Sequence, residues 1–217
     1  MKIVSFTGAH CTGKTTLLQA CKHRYGGVQV EVVPEVTRKV KREYGEEINE
    51  GSTLACQYLI AAEHLQNAFR RCEFETVESC PPLPGSPGIT KLRILDRCAV
   101  DGFIYAQYLA KQQTDEVAEA LWWKLQAHDR NLLTMVQDRY DILFYTDPSD
   151  VDLVDDGVRS TNDEFREGII KGFEKFISDA GPNMYNRIVR LKGTVEERLE
   201  VIDQKIRELV PNIVVNS

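Results

Sequence analysis

Nine residues near the amino terminus, G-A-H-C-T-G-K-T-T, have the spacing of a loop that binds phosphate. The pattern is G-x-x-x-x-G-K-[ST], and it stands between a short apolar run and a segment of helical period. Its glycines let backbone amides turn towards an anion, Lys14 can reach the β- and γ-phosphates, and the Thr15 hydroxyl can ligate Mg²⁺. The sequence therefore predicts a nucleotide site formed by Gly8, Ala9, His10, Cys11, Thr12, Gly13, Lys14, Thr15 and Thr16.

Charged side chains follow two other apolar runs. LRILDR ends in Asp96 and Arg97, and VVPEVTRK carries Glu35 and Arg38. The carboxyl ends of parallel strands line a ligand crevice, so we expect these groups on the same rim as the phosphate loop. Asp96 could reach Mg²⁺ or a substrate hydroxyl, and Glu35 could accept a hydroxyl proton or bind a sugar. The residues leave open which carboxylate is the base, and Arg38 is a candidate to hold an anionic group of the substrate.

An acidic stretch, residues 147–166, has the composition of a mobile lid over such a site. Arg159 is the preferred arginine for the transferring phosphoryl group, and Arg166 is the second. Lys171 is a weaker third candidate, and an exposed charged helix face explains Arg166 and Lys171 about as well. Trp122 and Trp123 could stack on a base, although packing and surface contact is the favoured interpretation for adjacent tryptophans.

The elements that must position these groups alternate along the chain. Five apolar runs are predicted to be strands buried on both faces of a parallel sheet, at residues 2–6, 28–33, 91–95, 141–146 and 186–191. Segments with helical periodicity predict a helix that starts at Lys14, a second over about 52–72 and a third that begins near Thr114. Capping boxes open two more helices, at Thr161 and Thr194, and Asp101 is expected to cap the helix after Asp96.

This alternation predicts an α/β fold of three layers, with a parallel five-stranded sheet and a helical lid. We expect a single domain over residues 1–217. The Pro- and Gly-rich stretch 79–88 cannot hold a helix or an inner strand, so it is interpreted as a surface insertion. A proline-rich docking site is the less favoured alternative.

Composition limits the classes of partner. The 217 residues include 27 Lys and Arg against 33 Asp and Glu, a formal net charge of −6. This balance argues against a general affinity for nucleic acid or anionic membrane, because such binding needs a basic surface. No apolar run approaches a membrane span, and the six cysteines form no C-x-x-C pair. We expect a cytoplasmic protein with reduced thiols. Cys11 could be redox-sensitive, but a loop position without a chemical task is favoured.

The motifs also carry a specific resemblance. G-A-H-C-T-G-K-T-T, P-E-V-T-R, I-L-D-R-C-x-x-D and D-D-G-V-R-S-x-x-x-x-F-R together resemble the P-loop family that includes the nicotinamide-riboside kinase domain of NadR-like proteins. That family is often described as an AAA-type ATPase domain and is related by layout to deoxynucleoside and thymidylate kinases. The resemblance runs from the first predicted strand to the last helix, apart from 79–88.

The resemblance implies a role for each matching position. Lys14 and Thr15 would hold ATP and Mg²⁺, and either Glu35 or Asp96 would be the base facing a sugar hydroxyl. Arg97 and Arg159 would contact phosphates, and Lys192 to Thr194 would lie beside the purine ring.

Two hypotheses follow from these observations. The first is a Mg²⁺-dependent kinase that uses ATP, with GTP possible, to phosphorylate a nucleoside or nucleotide. The second is a nucleotide-switched regulator without this transferase activity, with NTP hydrolysis as its enzymatic form and a protein or lipid headgroup as its partner.

Overall fold

A computed structural model describes residues 1–25, 30–45, 47–48, 51–69, 91–112, 139–150 and 162–215. The strands are β1 (Lys2–Thr7), β2 (Val30–Val33), β3 (Leu92–Asp96), β4 (Ile142–Thr146) and β5 (Ile188–Leu191). The helices are α1 (Lys14–Tyr25), α2 (Thr37–Tyr44), α3 (Leu54–Phe69), α4 (Ala99–Gln112), α5 (Asp163–Asp179), α6 (Pro182–Tyr185) and α7 (Val195–Leu209), with a 3₁₀ turn at Pro148–Asp150.

The five strands form one parallel sheet in the order β2-β3-β1-β4-β5. The predicted α/β class and parallel sheet are therefore confirmed. Strand β1 is central, so the segment that leaves it emerges in the middle of the carboxyl edge. The expectation of burial on both faces holds for β3 and β4, but it is wrong for β2 and β5. Those two are edge strands, so each has only one strand neighbour and interior residues that remain partly accessible.

Side chains on opposite faces of the sheet enter two separate clusters. Val4 and Phe6 of β1 pack with α1 and α7, whereas Ile3 belongs to the cluster that includes side chains of α4 and α5. This division follows from the alternation of side chains along a strand. It produces a helical layer on each side of the sheet, and among the described residues no helix is long and apolar enough to cross a membrane.

The helix starts refine several local predictions. The capping box at Thr194 and Glu197 is present at the start of α7, as predicted. The start of α5 differs, because the side chain of Asn162 accepts the hydrogen bond from the Phe165 amide and Asn162 is the N-cap. The predicted helix near Thr114, the insertion 79–88 and both tryptophans lie outside the described residues.

Asp101 does not have its predicted capping position. Helix α4 begins at Ala99, so Asp101 lies in its first turn rather than at its N-cap. One carboxylate oxygen accepts hydrogen bonds from the Cys98 amide at 3.1 Å and from the Thr7 hydroxyl at 2.8 Å. Asp101 is therefore a buried connection between the helix start and the end of β1.

His64 makes stability depend on pH. It is 2% exposed on α3, and burial lowers the pKa of its imidazole from 6.5 to about 4. Between these two values the unfolded chain binds a proton that the folded chain does not, so stability falls as the solution is acidified. We expect a loss of about 2 kcal/mol between pH 6.5 and 5.

The check is urea unfolding at pH 7 and pH 5. A His64→Gln variant should lose this part of the pH dependence, whereas His23→Gln, at an exposed site on α1, should keep it. Equal pH dependence in wild type and His64→Gln would contradict the prediction.

Candidate nucleotide and acceptor site

The phosphate loop lies between β1 and α1, at the centre of the carboxyl edge. Gly8 has φ 133° and Gly13 has φ 82°, both in the region that favours glycine. A Cβ atom on Gly8 would lie 2.8 Å from Thr146 Oγ1 and 3.1 Å from the Thr146 carbonyl oxygen. The first glycine of the motif is therefore required both by its conformation and by the close passage of β4.

Lys14 is folded back over this loop. Lys14 is 4% exposed, and its ammonium donates to the Gly8 carbonyl at 2.9 Å, to Thr12 Oγ1 at 3.1 Å and to the Ala9 carbonyl. Burial, and then the neighbouring Arg97 guanidinium, lower the pKa of Lys14 below its usual value. These three acceptors are neutral oxygens, and a phosphate chain would bring a negative charge into direct contact with the cation, so the loop fits an anionic ligand.

Thr15 and Asp96 meet at the start of α1. The Thr15 hydroxyl donates to Asp96 Oδ2 at 3.3 Å, and burial followed by the Glu35 charge raises the pKa of the Asp96 carboxyl. In the part of the chain that is described, no group of three or more His, Cys, Asp or Glu could hold a metal. One hydroxyl and one carboxylate are nevertheless enough protein ligands for Mg²⁺, because this ion usually takes its other ligands from phosphates and water.

Arg97 is held between two carboxylates. Its Nε donates to Glu35 at 2.8 Å and its Nη1 to Asp101 at 3.1 Å, while its guanidinium lies 5.7 Å from the centre of the Tyr105 ring. Only 8% of its side chain is exposed. The arginine to which the family resemblance gives a phosphate contact therefore ties the segments that follow β2 and β3 together.

A pocket opens beside the phosphate loop. Ile48, Ile60 and Tyr105 supply apolar surface to it. Its polar lining includes His10, Glu35, Arg38, Gln57, Arg97 and Asp101. Because His10 is a loop residue, the pocket adjoins the phosphate site, as an acceptor must in group transfer.

The structure brings together only part of the predicted site. Glu35, Arg38 and Arg97 line one pocket, and Asp96 lies with Thr15. Thr194 is at the start of α7, where its hydroxyl caps the helix. Arg166 is half-buried on α5, and Arg159 lies outside the described residues. Lys171 is exposed and pairs with Glu167 at 3.5 Å.

Two residues that contact this site carried weak sequence signals. Tyr105 is four residues after Asp101, so both lie on one face of α4, and its hydroxyl contacts the backbone nitrogen and ring Nδ1 of His10 at 3.1 Å each. Arg198 of α7 donates to the Thr12 carbonyl at 3.0 Å. The helical spacing could have indicated Tyr105, but nothing in the sequence distinguishes Arg198 from other helix arginines.

Comparison with known proteins agrees with this geometry. A family model described as an AAA domain matches residues 3–198, which is most of the chain. The chain belongs to this AAA domain family. A P-loop domain of this kind implies nucleotide binding, and the resemblance proposed from the sequence motifs is confirmed.

A solved structure supports the same fold. The whole chain matches a structure described as NadR protein in complex with NR, with a TM-score of 0.64 and 18% sequence identity. The match covers 53% of that chain, so the present chain spans about half its length. At this identity the likeness extends to the fold alone. No curated protein matches the sequence.

Proposed function

We propose that this protein is a Mg²⁺-dependent kinase that transfers the γ-phosphoryl group of ATP, or of GTP, to a hydroxyl of a nucleoside-like acceptor. The observation that carries the proposal is the pocket beside the phosphate loop, which combines apolar side chains with charged ones and is lined by Glu35. A phosphoryl acceptor needs such a space and a group to receive its proton. A nucleotide switch alone needs neither.

Of the two arginines that line the pocket, Arg97 favours an acceptor without a phosphate group, and Arg38 stays a proposed contact for an anionic group. Arg97 is paired with Glu35 and Asp101, so its positive charge is already compensated. A nucleotide phosphate would approach two carboxylates and would have to compete with them for the guanidinium. A nucleoside hydroxyl can instead donate to Glu35. The NadR-like nicotinamide-riboside kinases that the sequence resembles use an acceptor of this kind.

The phosphate loop and Lys14 would hold the triphosphate, and Thr15 and Asp96 would hold Mg²⁺. When bound, the ion would neutralise charge on the phosphate oxygens. Glu35 is the better candidate for the base, because it lines the acceptor pocket while Asp96 contacts the Thr15 hydroxyl. Arg159 and Arg166 stay proposed phosphate ligands, and Thr194 a proposed neighbour of the purine.

The test is a panel of nucleosides, nicotinamide riboside and mononucleotides with ATP or GTP and Mg²⁺, read by phosphoryl transfer. Transfer to a nucleoside in preference to its monophosphate is expected. Tight nucleotide binding without transfer to any acceptor would contradict the kinase and favour the regulatory hypothesis.

An Asp96→Asn variant should need more Mg²⁺. Removing the carboxylate charge beside Thr15 should raise the Mg²⁺ concentration for half-maximal transfer by about tenfold or more. The measurement is a Mg²⁺ titration at saturating ATP. Asp141→Asn is the matched control, because Asp141 pairs with Lys2 at the opposite edge of the sheet. An unchanged Mg²⁺ requirement in Asp96→Asn would remove Asp96 from the proposed metal site.

A further inference from the structure

Arg198 joins three loops that follow three different strands. Its Nε donates to the Gly193 carbonyl at 2.9 Å, its Nη1 to the Thr12 carbonyl at 3.0 Å and its Nη2 to the Asp147 carbonyl at 3.2 Å. The residue is 2% exposed. A buried guanidinium thus lies behind the phosphate loop and binds it to the segments after β4 and β5.

The contact with Thr12 fixes the direction of the next amide. The Thr12 carbonyl and the Gly13 N–H belong to one planar trans peptide unit, so they point in opposite directions. With the carbonyl held by Arg198, the N–H is directed away from α7. Gly13 precedes the first residue of α1, where backbone amides face an anion.

We propose that Arg198 is a positioning residue of the nucleotide site, which holds the Thr12–Gly13 peptide so that the Gly13 N–H donates to the phosphate chain. The cation also withdraws electron density through the carbonyl and makes that N–H a stronger donor. The inference rests on the triphosphate binding in the proposed function, but it is independent of the acceptor.

The planar fork of arginine suits this task better than lysine. Three nitrogens with fixed relative directions meet three carbonyls from separate loops, whereas one ammonium could satisfy such a divergent set only in part. The same contacts keep the buried charge hydrogen-bonded, as its burial requires.

The test compares two ligands by calorimetric titration. Because Arg198 acts on the phosphate loop, Arg198→Gln should lower the affinity for MgATP and for inorganic tripolyphosphate, each by about tenfold or more. Arg198→Lys should lower both affinities to a smaller extent. Arg93→Lys is the matched control. Arg93 is also fully buried, but it pairs with Glu31 and the Asn67 carbonyl, so this variant should lose stability and keep both affinities.

Each contrary outcome has a distinct meaning. If the wild type binds both ligands and the folded Arg198 variants bind them with the same affinities, the inference about Arg198 is wrong and the proposed function is unaffected. If an Arg198 variant loses affinity for ATP but keeps its affinity for tripolyphosphate, the effect lies at the Gly193 turn, and the inference about the phosphate loop is wrong. Failure of the wild type to bind either ligand would instead contradict the proposed function.

A measurement on the wild type applies even if the variants do not fold. Tripolyphosphate should move the amide proton resonance of Gly13 downfield, because the N–H gains a charge-assisted hydrogen bond. A Gly13 resonance that does not move on saturation would overturn the proposal.

Discussion

A Lys14→Ala variant is expected to lose phosphoryl transfer by about a thousandfold or more. The ammonium already lies inside the phosphate loop, where burial makes its interaction with an anion strong. Alanine removes the only side-chain cation of the loop and leaves the charge developing on the transferred group without this partner. The measurement is the transfer rate at saturating ATP and Mg²⁺ with the acceptor found in the panel.

Lys175→Ala is the control for the loss of a lysine. Its ammonium is exposed on α5 and pairs with Asp179, so transfer should stay at the wild-type rate. Thermal unfolding without nucleotide would verify that Lys14→Ala is folded. A folded Lys14→Ala protein with wild-type transfer would contradict the role proposed for the phosphate loop.

A Glu35→Gln variant should lower kcat by about 10²- to 10⁴-fold. The amide oxygen of glutamine can still accept from Arg97 Nε, so the side chain can keep its position while losing the ability to take a proton. We therefore expect the KM for ATP to change little. The measurement is steady-state kinetics with both substrates varied.

Glu31→Gln is an unusually close control. Glu31 pairs with the buried Arg93 at 2.7 Å, and Glu35 pairs with the buried Arg97 at 2.8 Å. Both variants break a glutamate–arginine ion pair between neighbouring segments, but only Glu35 lines the pocket. An equal loss of kcat in the two variants would mean that Glu35 acts through stability and not as the base.

Much of the fold could be predicted because its strands are short apolar runs with clear ends. The start of α1 at Lys14 and the capping box at Thr194 could also be predicted, because each depends only on residues that are close together in the sequence. Burial of individual strands was less predictable. Strands β2 and β5 each contain a charged residue, but so does β3, whose Arg93 is buried, and the places of β2 and β5 at the sheet edges leave them partly exposed.

The candidate site also has a part that the sequence could predict and a part that it could not. The phosphate loop is contiguous in sequence, so its residues and their order already contain the information for a phosphate cradle. Glu35 and Asp96 could be assigned to one rim, but which of them is the base could not. The tertiary structure shows how their contacts differ, because Glu35 pairs with Arg97 and Asp96 accepts from the Thr15 hydroxyl, and both contacts connect separate elements.

The sequence by itself determined that this chain has a phosphate loop between a strand and a helix, in an α/β domain of the AAA family. Local spacing is sufficient for that, because the loop, its lysine and its threonine are adjacent in the chain. Only the tertiary structure decided that Arg97 is engaged by two carboxylates and that Arg198 supports the loop from α7. The physical reason is that packing between elements determines which groups pair with a buried charge, and the spacing of residues in the sequence does not predict those groups.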